Sequence, residues 1–154
     1  LIKGIGLCPG MESIAAEGAT GNVHTNYKGK ADAAIQAFKD GDDFVYIHVE
    51  APDESGHRAE ADNKVLSIEK IDSEILTPVY EYLKSTGEPF RIMILPDHPT
   101  PIKLRTHTAD PIPFTIWYPG IEPDSVQTFD EVAAKDGAYG LMEGDEFIKE
   151  FMKN

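Results

Sequence analysis

The chain is poor in cysteine and in positive charge, and it lacks any long apolar run. Its one cysteine, Cys8, excludes an internal disulfide framework. It sits in the turn sequence Leu7-Cys8-Pro9-Gly10 and reads as a loop or buried thiol. Fourteen Lys and Arg face 27 Asp and Glu, a net charge of −13. That balance argues against nucleic-acid binding, which needs a basic footprint, and against anionic membrane surfaces. No stretch approaches the roughly 18 apolar residues of a membrane span, and no signal-peptide pattern is present. A Gly-rich phosphate loop ending in Lys-Ser/Thr, a dinucleotide fingerprint, internal repeats and low-complexity tracts are also missing. The reading these absences leave is an acidic, cytoplasmic protein of 154 residues, long enough for one domain with a sizeable core. The chain opens on Leu1, directly in Leu1-Ile2-Lys3-Gly4-Ile5-Gly6-Leu7, which reads as a segment already inside a fold. The expectation is the C-terminal part of something longer.

Along the chain, the glycines of residues 1–28 suggest a short strand followed by loops. Lys30 to Lys39 has Ala31, Ala34, Ile35 and Phe38 at helical spacing and is stopped by Asp40-Gly41-Asp42-Asp43. Phe44-Val45-Tyr46-Ile47-His48-Val49 reads as a strand covered on both faces. A long helix is expected from about Ala59 to Thr86, on the repeat Val65, Ile68, Ile71, Ile75, Val79 and Tyr82, kinked or split by Pro78. Phe90 to Leu95 and Ile112 to Tyr118 read as two further strands. Short helices are expected near Thr128 to Ala134 and Gly144 to Met152. Strand, helix, strand at this spacing predicts βαβ units: an α/β fold with a largely parallel sheet flanked by helices.

Two stretches carry the chemistry. Pro52-Asp53-Glu54-Ser55-Gly56-His57 and Leu95-Pro96-Asp97-His98-Pro99-Thr100-Pro101 each put an Asp and a His just past a hydrophobic run. His107 follows in Arg105-Thr106-His107-Thr108. In a parallel sheet those positions fall at the carboxyl ends of strands, where open α/β sheets bind ligands. Asp53 and His57, four apart, share one face of a helical turn. Asp97 and His98 are adjacent, so their side chains diverge toward two metals or meet one metal from a loop. Asp oxygens and neutral His nitrogens suit Zn or Mn, and such sites carry phosphoryl chemistry. Each residue alone reads as an ordinary capping Asp or surface His. Three of the five histidines at one edge of the sheet read as a ligand set. His48 inside a strand reads as a packed histidine, and His24 in a polar loop as a solvated one.

The order Asp-x-x-x-His, Asp-His, His-Thr-x-x-Pro-x-Pro-Phe resembles the alkaline phosphatase superfamily. Gly18-Ala19-Thr20-Gly21, Thr25-Asn26-Tyr27-x-Gly29-Lys30, His48 to His57 and Ile68-Glu69-Lys70-Ile71-Asp72 narrow it. With them, nearly the whole chain resembles the C-terminal part of the archaeal-type branch of the cofactor-independent phosphoglycerate mutases. That resemblance implies an incomplete alkaline phosphatase-like fold and two divalent metal ions, Mn or Zn. One metal would take Asp53, His57 and His107, the other Asp97 and His98. Lys3 is a possible substrate contact by position. The implied substrate is phosphoglycerate or a similar small phosphate ester. The serine nucleophile, a further metal Asp and most of the substrate-binding insertion find no match here. The chain alone is therefore expected to be inactive, and to self-associate or hold the N-terminal piece. A homoserine-kinase-like phosphotransferase of the same branch and a non-catalytic metal-binding fragment are the alternatives.

Overall fold

The structure, a computed structural model, describes residues 2–153. The chain divides into two compact units, one ending at Thr86 and the other beginning at Gly87.

The first unit is helical. It starts with α1, Ile2–Leu7, where a strand was expected; Leu1 lies outside the described residues. The reason is hydrogen bonding. A helix satisfies its own backbone, whereas a strand with no neighbour leaves every N–H and C=O unpaired. Cys8 follows in an exposed turn, its Sγ 3.6 Å from the Gly4 carbonyl oxygen.

Helix α2, Tyr27–Asp40, starts at Asn26, whose Oδ1 accepts from Gly29 N–H at 2.8 Å. A Cβ on Gly29 would lie 2.4 Å from the Asn26 amide nitrogen, so a larger residue there would push the Asn26 cap aside. The same Asn26 donates to the Glu17 carbonyl at 2.9 Å, and Thr20 N–H donates to Thr25 Oγ1 at 2.9 Å. These bonds lock Gly18-Ala19-Thr20-Gly21 against Thr25-Asn26. Gly41, at φ 105°, ends the helix in the left-handed region.

Residues 44–49 form no ladder among the described residues. Val45, Ile47 and Val49 pack against two clusters, Tyr27–Ala51–Ile75 and Ala31–Ala34–Val79, while Phe44 and Tyr46 are exposed. The run is thus covered on one face rather than two. Lys30 Nζ donates to the His48 carbonyl at 2.8 Å and ties α2 to it. Burial pushes the Lys30 ammonium below the ordinary lysine range; Glu50 opposes this and Lys3 adds to it.

Helices α3 (Ala51–His57), α4 (Ala61–Lys70) and α5 (Thr77–Thr86) follow, with a π-helical segment, Ile71–Leu76, joining the last two. Pro78 cannot donate to a carbonyl one turn back, and the wide π turn just before it accommodates the ring. That turn also moves the buried stripe. Ile75 and Val79 are core, but Val65 and Ile68, expected on the same face, are more than half exposed and Ser67 is buried instead.

The second unit holds the one sheet among the described residues, β1 (Ile92–Ile94) antiparallel to β2 (Thr115–Trp117). Parallel pairing is absent among the described residues. Pro96 bounds β1, and Pro111 and Pro113, without N–H groups, keep the ladder from starting earlier in the second strand. Ile116 alternates inward between exposed Thr115 and Trp117. Arg91 lies over the Tyr118 ring at 4.7 Å and donates to the Phe151 carbonyl at 3.2 Å, which docks α6, Glu146–Phe151. The helix expected near Thr128 shortens to a 3-10 turn, Ala133–Asp136, begun by Asp130 Oδ1 accepting from Val132 and Ala133 N–H.

Candidate metal centre

Helix α3 presents the first pair. Pro52 starts it without wasting an N–H, and Asp53 and Glu54 sit in its first turn, where the positive end of the helix dipole favours carboxylates. Ala51, Ser55 and Gly56 are buried, and Ser55 Oγ donates to the Ala51 carbonyl at 2.8 Å. With that face fixed inward, Asp53 and His57 stand half-buried on another, Asp53 Oδ1 lying 3.3 Å from His57 Nε2. The helix closes with Glu60 N–H on the Ser55 carbonyl at 2.9 Å and Ala59 N–H on that of Gly56 at 3.1 Å. Ala59 takes φ 57° there, a position that glycine usually fills.

The second pair sits on the loop after β1. His98 N–H donates to Asp97 Oδ1 at 3.1 Å, and His98 Nε2 lies 3.6 Å from the same oxygen. The loop therefore folds the two adjacent side chains together, the second of the two arrangements expected of such neighbours. Thr100, buried at 4% exposure, holds its Oγ1 3.3 Å from His98 Nδ1. With Nδ1 so engaged, Nε2 is the nitrogen left for a metal.

Pro99 and Pro101 then steer the chain into a turn, in which Leu104 and Arg105 N–H both donate to the Pro101 carbonyl at 2.9 Å. Arg105 adopts φ 58°, the second left-handed residue here that is not glycine. Thr108 N–H closes the loop on the Pro99 carbonyl at 3.2 Å. The result stacks His107 on His98, ring centroids 3.7 Å apart. Asp97 and His98 also line a cleft of about 510 Å³ with Leu95, Phe114 and Phe147.

Donor spacing tests whether metal fits. Bonds of about 2.1 Å in a tetrahedral site place neighbouring ligand atoms about 3.4 Å apart. The two Asp–His separations, 3.3 and 3.6 Å, match that edge. They are long for a charge-assisted hydrogen bond, which runs about 2.7–2.9 Å. Both pairs suit a divalent cation by donor type and by span.

The other singled-out residues fall elsewhere. His24 is exposed, and the His48 ring stacks on Tyr46 at 6.3 Å. Lys3 is exposed on α1, and its charge acts on Lys30. Thr100 escaped the sequence reading. Its only signal was a hydroxyl two residues past His98 between two prolines.

The model of the Metalloenzyme superfamily matches residues 3–147. The 2,3-bisphosphoglycerate-independent phosphoglycerate mutase of Methanothrix thermoacetophila is 46% identical over 149 residues, 97% of this chain and 38% of that protein. The protein of the same name from Methanosarcina mazei is 47% identical over 155 residues, 100% of this chain and 39% of that one. Among solved structures, PH0037 protein from Pyrococcus horikoshii matches with a TM-score of 0.86 and 32% identity, over 99% of this chain and 45% of that chain. The chain thus spans less than two-fifths of the length of these two mutases.

Proposed function

This chain belongs to the Metalloenzyme superfamily, and from that membership we propose that it is the C-terminal, metal-binding part of a 2,3-bisphosphoglycerate-independent phosphoglycerate mutase. The observation that carries the reading is the pair of Asp–His couples, each at the span of a metal-coordination edge. The motif order and the mutases similar over nearly the whole chain support it.

On this reading Asp53, His57 and His107 bind one divalent ion, and Asp97 and His98 the other. Mn or Zn is the ion, by the match of carboxylate and imidazole donors. Bound there, the metals supply a depressed hydroxyl pKa and a clamp on phosphoryl oxygens. The residues of this chain hold the donors in place. Helix α3 fixes the first couple, and Thr100 fixes the nitrogen that His98 presents. A serine outside these 154 residues is the nucleophile. It takes the phosphoryl group of phosphoglycerate and returns it to the other glycerate hydroxyl. The rest of the fold, including the parallel sheet that the resemblance implies, belongs to the same full-length protein, as does a cytoplasmic location.

The test is turnover of 3-phosphoglycerate by the full-length protein before and after chelation. The reading predicts conversion to 2-phosphoglycerate, lost on chelation and restored by Mn or Zn. The 154 residues alone should turn over nothing at any metal concentration. Robust mutase activity from them would overturn the division of labour, since it would need a nucleophile within this chain.

A further inference from the structure

The cleft beside Asp97 and His98 has a lining that the metal couple does not explain. At about 510 Å³ it falls within the roughly 300–1,000 Å³ of small-molecule sites. Leu95, Ile112, Leu141 and Met142 make its walls largely aliphatic. Phe114 and Phe147 add two rings, 6.4 Å apart and inclined at 44°. Tyr139 packs on Phe114 at 5.5 Å and steadies that ring. Two more carboxylates, Asp110 and Glu143, reach the cleft from different segments, both exposed. Among the described residues neither carboxylate has an ion pair or accepts a hydrogen bond, and no lysine or arginine lines the cleft. Among the same residues, no further His, Cys or carboxylate gathers with these two at metal-ligating distance. The cleft thus offers negative charge and aromatic faces and supplies no Lys or Arg of its own.

We propose that this cleft binds a small organic cation, an alkylated ammonium ion carried on an apolar body. An ammonium is drawn to an aromatic face when it lies within about 6 Å of the ring centre, and rings 6.4 Å apart can both lie that close to one cation. Asp110 and Glu143 add a field of the right sign without having to touch the ion. The apolar body gains by leaving water for the aliphatic walls. A hard metal ion fits these two carboxylates poorly, because it needs about six oxygen ligands and the walls between them carry few. The site goes beyond the mutase reading. Phosphoglycerate is an anion at both ends, and two unpaired carboxylates would repel it from this cleft.

The experiment titrates the full-length, Mn-loaded protein by calorimetry with choline and with 3,3-dimethylbutan-1-ol, a neutral molecule of the same shape. The unsubstituted protein should bind one choline per chain, and the alcohol roughly tenfold or more weakly. Two variants keep the fold and remove one attraction each. The double variant Asp110→Asn, Glu143→Gln keeps shape and loses charge, and should weaken choline roughly tenfold. Phe147→Leu keeps an apolar wall and loses a ring, and should weaken choline severalfold while leaving the alcohol alone. Mn content should be unchanged in both. Absence of saturable choline binding overturns the proposal, as does equal affinity for choline and the alcohol, or choline affinity untouched in the double variant. Loss of Mn from the double variant overturns it too, since the carboxylates would then serve the metal. None of these readouts depends on turnover. A protein that converts 3-phosphoglycerate and ignores choline keeps the mutase reading and loses the cation site; one that binds choline and converts nothing does the reverse.

Discussion

In the unit ending at Thr86 an Asp and a His stand four residues apart on one short helix. In the unit from Gly87 they are neighbours on a loop bent by Pro96, Pro99 and Pro101 and propped by buried Thr100. The two couples nevertheless converge on nearly one donor spacing, 3.3 and 3.6 Å. A helix delivers that spacing through its own repeat, so its support is backbone hydrogen bonding and a buried face. A loop has no repeat, so its support is particular: a hydroxyl on one ring nitrogen, a stacked second imidazole, a residue held at positive φ. The helical couple should therefore tolerate loss of neighbouring side chains, and the loop couple should not.

The largest expected effects come from the ligands themselves and ignore this difference. On the mutase reading proposed above, His57→Ala and His98→Ala in the full-length protein should each lower turnover by orders of magnitude, with the thermal transition retained. Near-normal turnover in either reconstituted variant would remove that residue from the site. His48→Gln, by contrast, should leave metal content unchanged, because its ring packs on Tyr46.

Next in size is the test of the supports. Thr100→Val frees His98 Nδ1 and should weaken metal binding by about 10–100-fold, the usual range for such outer partners. Ser55→Ala in α3 removes a buried hydroxyl that only caps its own helix carbonyl. It should cost about 1 kcal/mol of stability and leave metal affinity alone. Equal losses of affinity from both variants, measured by competitive chelation, would erase the contrast between helix and loop.

What could be read from the sequence follows the same line. Asp53 and His57, and the buried face of α2, were legible because helical periodicity is local. The start of the long helical stretch was misphased because a π turn shifts every residue after it by part of a turn, and Pro78 announced a disturbance without stating its form. The strands were overextended because Pro111 and Pro113 remove ladder donors, and because Val45, Ile47 and Val49 found helices to pack on instead of a second layer. That Asp97, His98 and His107 gather at one edge was read from their places along the chain, but the geometry that brings Asp97 onto His98 and stacks His98 on His107 was not legible. It depends on Thr100, on the bond from Thr108 to Pro99, and on Arg105 in a conformation that no propensity favours.

A smaller effect marks the end of the helical couple. Ala59→Gly should stabilise the protein by up to about 1 kcal/mol, since glycine takes φ 57° without strain, and should leave the metal couple intact. A lower melting temperature would show that the Ala59 methyl packs productively.

The smallest effect is confined to the loop-rich unit. Asp124 is held below the ordinary carboxylate range by the Ala138 and then the Val126 N–H. Asp130 is held down by the Ala133 N–H, then the Thr128 hydroxyl and the Val132 N–H. A depressed folded-state pKa means this support is fully present above about pH 3.9 and is lost as pH falls through the lower folded values. Amide exchange at Val126, Val132, Ala133 and Ala138 should therefore quicken, relative to the α2 amides, only on strong acidification. Equal protection across that range would deny the two caps their role.

The account stands or falls on whether helix and loop each hold an ion. The direct measurement is metal stoichiometry in the full-length protein and in His57→Ala and His98→Ala, by elemental analysis after reconstitution with Mn or Zn. Two ions per chain are expected in the unsubstituted protein, with one lost from each variant and the other retained. A single ion that disappears equally with either histidine, or full metal content in both variants, would contradict it.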